Sequence, residues 1–207
     1  MASIANTAFE VKVTNIQRNN TQNVAGKFGS FSDDTFTPDV CASGFLCTEA
    51  ALLPNEGYET LGPNGDPILN GNSWYMVAAT DGAAGALGDH TGIYAFNSYD
   101  VPKATNNLGN VWNLGANLLG QELPAGEIGT FTEIIVGEQY KFGAGNFSTA
   151  PSAGAIYATI ANGRLVASST APSAGDGVAF VILREEGFTV GARYAGFDGY
   201  ICKAVRY

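Results

Sequence analysis

The sequence predicts an all-β protein: an antiparallel sandwich or barrel with long loops, an extended N-terminal arm and at most one or two short helices. Three observations carry this. Several segments alternate apolar and polar residues, which places successive side chains on opposite faces of a half-buried strand. The 27 glycines, against 8 prolines in 207 residues, are scattered singly without a three-residue period, a pattern that excludes collagen and marks many tight turns. Hydrophobic residues make up 45% and charged residues 14%, too apolar and too weakly charged a mixture for a disordered chain. The length fits one large β domain or two small ones.

Taken in order, "FEVKVTNI" from Phe9 to Ile16 puts Phe9, Val11 and Val13 on one face and Glu10, Lys12 and Thr14 on the other. "TFTEIIV" (130–136) and "EQYKFG" (138–143) read as strands, the second setting Tyr140 and Phe142 opposite Gln139 and Lys141. In "AIYATIANGRLVASS", Ala155 to Ser169, two β-rich runs flank Asn162-Gly163, and Asn-Gly supplies the positive φ angles of a two-residue hairpin turn. "GVAFVILRE" (177–185) and "GYICKAVRY" (199–207) complete the strands. The leucines of "VWNLGANLLGQEL", Val111 to Leu123, have helical spacing, but Gly115 and Gly120 each cost about 1 kcal/mol in a helix interior, so one short helix is the most this segment offers. Heavy Pro and Asn-Gly punctuation makes 54–72 and 81–91 long loops.

This divides the chain into an N-terminal strand and arm (1–30) and a β-rich body (31–207). A faint duplication splits the body into two related β units, 31–136 and 137–207. "KFGSFSDDT" at 27 and "KFGAGNFST" at 141 begin alike, and each precedes a second run, "GFLCTEA" or "GRLVASS".

Nineteen acidic residues against ten basic ones leave a net charge of −9, and the cations, among them Lys12, Arg18, Lys27, Lys103 and Lys141, are dispersed. Phosphate backbones need clustered Lys and Arg, so no nucleic-acid partner is expected. No run approaches the roughly 18 apolar residues of a membrane span, and "MASIANTAFEVKVTNIQRNN" lacks the basic start and apolar stretch of a secretory signal. Folding in the cytoplasm is expected, with Cys41, Cys47 and Cys202 as reduced, partly buried thiols and a Cys41–Cys47 disulfide as the lesser alternative.

The residues for bond chemistry do not assemble along the chain. Five residues separate Cys41 from Cys47, and neither Cys202 nor His90 belongs to a second close pair, so the zinc pattern is missing. Asp33, Asp34, Asp39 and Glu49 raise the question of calcium, but the spaced acidic calcium loop is absent and such aspartates commonly cap turns. His90 is the single histidine, and no G-x-S-x-G elbow or phosphate loop occurs. Asp33 and Asp34, and likewise Glu185 and Glu186, would point to opposite sides of a strand and could not share a substrate. No catalytic, cofactor-binding or metal-binding residue is assigned.

Aromatic residues remain: twelve Phe, nine Tyr and two Trp. Most belong to the core of a β protein this size. Phe31 and Phe36, however, bracket the polar loop that carries Asp33 and Asp34. Phe28, Phe31, Asp33, Asp34 and Phe36 are therefore the candidate partner contacts. The rival use is a sugar-binding face built on Trp74 with Tyr75, or on Trp112.

Long segments carry a resemblance: "IQRNNTQNVAGKFGSFSDDTFTPDVCASGFLCTEAALLPNEGYE", then "NGNSWYMVAA", "GIYAFNSYDV", "YKFGAGNFS" and "YATIANGRLV". Together they resemble a family of small proteins encoded near the major capsid gene of tailed bacteriophages and prophages. The resemblance implies a virion structural role, a head decoration or auxiliary capsid protein assembled in the host cytoplasm. Its partners would be the major capsid protein and other virion subunits, and it would act as a homo-oligomer. It supplies no catalytic residues and no cofactor. A carbohydrate-binding module of a head fibre or tail component is the alternative.

Overall fold

The structure, a computed structural model, describes residues 7–12, 23–52, 73–80, 90–98, 104–105, 111–112, 122–173, 177–188 and 196–207. Its strands are β1 (Phe9–Lys12), β2 (Asn23–Ser32), β3 (Thr35–Pro38), β4 (Leu46–Leu52), β5 (Ser73–Ala78), β6 (His90–Ser98), β7 (Ala104–Thr105) and β8 (Val111–Trp112). They continue with β9 (Gly129–Ile135), β10 (Gln139–Gly143), β11 (Tyr157–Ala161), β12 (Arg164–Ser168), β13 (Val178–Glu185) and β14 (Gly199–Arg206). One 3-10 turn, Ala144–Asn146, follows β10. The all-β expectation is met.

The strands form two bodies and a small ribbon of β7 with β8. An antiparallel sheet runs β1-β10-β14-β13-β11-β12. The other sheet runs β2-β5-β4-β6-β9, and β9 pairs back onto β2, which closes it into a barrel. Its pairings among the described residues are antiparallel except β2 with β5, which run parallel. A parallel pair needs a long crossover, and here β3 and β4 lie within that connection. Chain order and sheet membership nearly coincide: apart from the β7–β8 ribbon, strands from 23 to 135 belong to the barrel sheet and strands from 139 onward build the open sheet, which β1 joins at its edge. Of the N-terminal stretch, residues 9–12 pair with β10 and residues 23–30 run through β2.

Period-two alternation explains why there are two cores. In β6, Tyr94 and Phe96 point into the barrel with Phe28, Cys41, Cys47, Met76, Leu123 and Phe131. Ile93 and Ala95 point out and, with Leu46 and Ile134, meet the inner face of the open sheet: Phe9, Tyr140, Phe142, Ile160, Phe180 and Cys202. Each Leu, Ile or Phe side chain of this set taken from water contributes about 1.5–3 kcal/mol, so this shared core binds the two bodies into one unit.

Polar pins fix their alignment. Asn146 is buried; its Oδ1 accepts from Ala8 N at 3.1 Å and Gly143 N at 3.0 Å, and its Nδ2 donates to Ser43 O at 2.7 Å. One amide thus ties the open sheet to the barrel. The Tyr140 hydroxyl accepts from Ile135 N at 2.7 Å, holding β10 against the end of β9. The expected hairpin forms, with β11 and β12 joined by Asn162 (φ +48°) and Gly163 (φ +74°). Its turn is docked onto the barrel: Leu46 N donates to Gly163 O and Gly163 N to Ala79 O, both at 2.8 Å. Of the segment 111–123, residues 113–121 lie outside the described residues; Val111–Trp112 is strand and Leu123 bridges to Cys41.

Gly163 offers a direct test of that docking. A Cβ there would lie 2.0 Å from the Phe45 ring, whereas at Gly154 (φ +94°) it would meet nothing within 4 Å. Gly154→Ala is expected to cost only the backbone strain of about 1–2 kcal/mol, and Gly163→Ala about 2–4 kcal/mol because overpacking is added. Urea denaturation of the two variants measures the difference.

Candidate partner-binding surface

The candidate contacts sit where β2 outruns the barrel. On one side β2 pairs with β5 over Ala25–Gly29. Its other side is divided, with Asn23–Gly26 pairing to β9 and Gly29–Ser32 to β3. Residues 30–32 therefore have β3 as their strand partner and project with it as a two-stranded ribbon. Asp33 (φ +46°) and Asp34 (φ +61°) form its two-residue turn, both in the left-handed region that Asp tolerates better than most residues. The ribbon is exposed apart from Phe36, which is half-buried.

An isolated hairpin is marginal in water, so something must brace this one. Phe31, Phe36 and Tyr75 of β5 do so from the outer face, with ring centroids 5.2 Å (31–36), 5.5 Å (31–75) and 4.2 Å (36–75) apart. Gly29 lets this happen, since a Cβ there would lie 2.6 Å from the Phe36 ring. Phe31 stays 40% exposed, a large apolar group presented beside two carboxylates.

Phe28 is a correction. It is 7% exposed, and its ring stands edge-on to Phe45 at 5.3 Å among the barrel core. The reason is parity: residues 28 and 31 lie an odd number of positions apart in one strand and must face opposite sides. Tyr75, missed as a partner of Phe31 and Phe36, follows the same rule in reverse. Trp74 turns inward against the barrel core and Tyr75 turns out. The Trp112 side chain lies outside the described residues.

The remaining polar candidates are dispersed. Asp33 and Asp34 sit at one end of β3 and Asp39 just past the other, where its Oδ1 accepts from Val40 N at 2.7 Å. Glu49 hydrogen-bonds the Tyr94 hydroxyl, whose pKa is raised, first by burial and then by that carboxylate. Among the described residues no group of three or more His, Cys, Asp or Glu could hold a metal ion. His90 lies in β6 by its backbone, and its side chain falls outside the described residues, as does Asp89. Glu133, 2% exposed, accepts from Thr91 N at 3.2 Å and Gly92 N at 3.3 Å and so clamps the irregular start of β6. Among the described residues every buried side-chain N or O has a hydrogen-bond partner.

Two further groupings bear on chemistry. All three cysteines are free and buried, and burial raises the thiol pKa of Cys41 and of Cys202, which disfavours the reactive thiolate. On the open sheet, Glu186 gathers Arg184 at 3.0 Å, Lys12 at 3.2 Å and Lys141 at 3.3 Å. Hydrogen bonds from Arg184 and then Lys12 dominate in lowering its carboxyl pKa from 4.5 to about 2. Lys141 also donates to Gly187 O at 2.9 Å and lies 4.3 Å from the centre of the Phe188 ring, so this cluster fastens β1, β10 and the end of β13 together.

Both groupings are testable. A thiol-specific aromatic disulfide should react with the native chain at least about 100-fold more slowly than with the urea-unfolded chain, where all three cysteines titrate. Because the folded-state pKa of Glu186 is depressed, its contribution is fully present above about pH 4.5 and disappears as pH falls through about 2. The stability gap between the wild type and Glu186→Gln should therefore close across that window in denaturant titrations.

Comparison with known proteins yields no match: no family model, curated protein or solved structure is similar to this chain.

Proposed function

We propose that the chain is a virion structural protein, a decoration or auxiliary capsid protein that binds and stabilises a phage head lattice. The observation that supports this best is the projecting β2–β3 ribbon, which holds Phe31 and Phe36 beside Asp33 and Asp34 at a partly exposed surface. Aromatic anchors ringed by polar groups are the usual energetic centre of a protein interface. The neighbours are the major capsid protein and other virion subunits, with the chain acting as a homo-oligomer and catalysing no reaction. A net charge of −9 suits a shell component that must not adhere to the genome it encloses.

The carbohydrate-binding alternative rests on the same rings, since Tyr75 packs on Phe36, which lies two residues from Asp34. It is weakened by the inward turn of Trp74.

Co-sedimentation with empty capsids tests the first reading and a glycan array the second. Wild-type chain should pellet with capsids, and Phe31→Ala should weaken that binding by about tenfold or more while lowering folding stability by only about 1–2 kcal/mol, the share of its two ring contacts. Glycan binding without capsid binding contradicts the decoration role.

A further inference from the structure

The β3 strand has a second feature independent of its aromatic rings. It is the terminal strand of its sheet, and among the described residues no strand pairs with its outer edge. The hairpin register determines what that edge offers. A two-residue turn makes Ser32–Thr35 the closing hydrogen-bonded pair, so hydrogen-bonded pairs recur at Ser30–Thr37 and Phe28–Asp39. The last is seen directly, with Asp39 N donating to Phe28 O at 3.0 Å. Phe31–Phe36 is then a non-hydrogen-bonded pair, and the N–H and C=O of Phe36 point away from β2 toward the open edge. An exposed edge of this kind is a template for strand addition unless it is covered.

Charge selects the occupant. Asp33 and Asp34 stand at one end of β3 and Asp39 at the other, while Lys27, a cation of β2, already has an interaction of its own. If two copies paired β3 against β3 antiparallel, Asp33 and Asp34 of one would face Asp39 of the other, and like charges placed opposite are destabilising. An extended segment with a cation at each end meets the same edge with opposite charges. The residue facing Phe36 would extend its side chain onto the Phe31–Phe36–Tyr75 surface, which calls for an apolar group there.

Resting on the reading of the ribbon as the partner surface, we propose that β3 accepts an extended segment of a neighbouring virion subunit as an added strand. That segment alternates apolar and polar residues and carries Lys or Arg at both ends. Phe36 supplies the central pair of main-chain hydrogen bonds, and the aspartates at the two ends of β3 meet the terminal cations.

The probe is an octapeptide of alternating Val and Thr with Lys at both ends, compared with the same peptide ending in Glu. Amide hydrogen exchange is read by NMR on the full chain. The Lys peptide should slow exchange at Phe36 by about tenfold or more and leave Thr35 and Thr37 unchanged, because their amides already bond within the hairpin. The Glu peptide should give no protection, and added salt should erode that of the Lys peptide. Unchanged exchange at Phe36, or protection indifferent to the end charges, overturns the proposal.

A variant pair makes the same distinction on capsids. Phe36→Ala and Phe36→Pro both remove the ring, but only Pro removes the outward N–H, and proline is tolerated at an edge position. Strand addition requires Pro to bind capsids about fivefold or more weakly than Ala; equal loss points to the ring alone and contradicts it. Capsid binding without Phe36 protection sinks strand addition and leaves the decoration role standing. Protection of Phe36 by the Lys peptide without capsid binding does the reverse.

Discussion

The divided edge of β2 is the constraint on which the rest of the molecule depends. One side of this strand is taken by β5, while the other is shared end to end by β9 and β3. The first part of that shared edge closes the barrel, and closure removes the exposed N–H and C=O groups that would otherwise invite other chains. The second part carries β3 past the closed wall. One ten-residue strand therefore provides both the seal and the projection. Parity along it turns Phe28 into the barrel and leaves Phe31 outside.

The open sheet anchors the barrel that bears this projection. Its contact with the barrel is apolar and extensive, which gives strength but little directional preference. Direction comes from the few polar groups buried at the seam. Asn146 uses both ends of its amide to join Ala8, Gly143 and Ser43, and the Asn162-Gly163 turn exchanges backbone hydrogen bonds with Leu46 and Ala79. Such groups are costly to leave unpaired, so sliding one body over the other would lose bonds that water could not replace in that interior. A rigidly held hairpin loses less conformational freedom on binding a neighbour than a loose one.

Local patterning made much of this legible. Alternation in "FEVK", "EQYKFG" and "GYICKAVRY" marks β1, β10 and β14, and Asn-Gly marks the β11–β12 turn by its demand for positive φ. The turn at Asp33-Asp34 was harder to read because it has the same backbone geometry without a glycine. Barrel closure left no local mark: Ala25 pairs with Ser73 and Asn23 with Thr132, and no short-range rule links residues so far apart. The same gap explains the misplaced Phe28. Phe28, Phe31 and Phe36 lie close in sequence and look like one cluster, yet strand parity sends Phe28 and Phe31 to opposite faces, and only the pairing shows which face is covered. Asn146 and the ionic cluster at Glu186 depend on contacts between residues as distant as Ser43 and Asn146, or Lys12 and Glu186.

In the proposed role the chain meets a neighbour through the projecting β2–β3 ribbon, which the Phe31–Phe36–Tyr75 brace and the buried polar groups of the seam hold in place. Imaging an intact phage particle at side-chain resolution tests this most directly. The account predicts density for this chain on the outside of the head, with Phe31 and Phe36 covered by an adjoining subunit. A particle in which the Asp33-Asp34 turn and both rings face solvent, or in which the chain is absent, would contradict it.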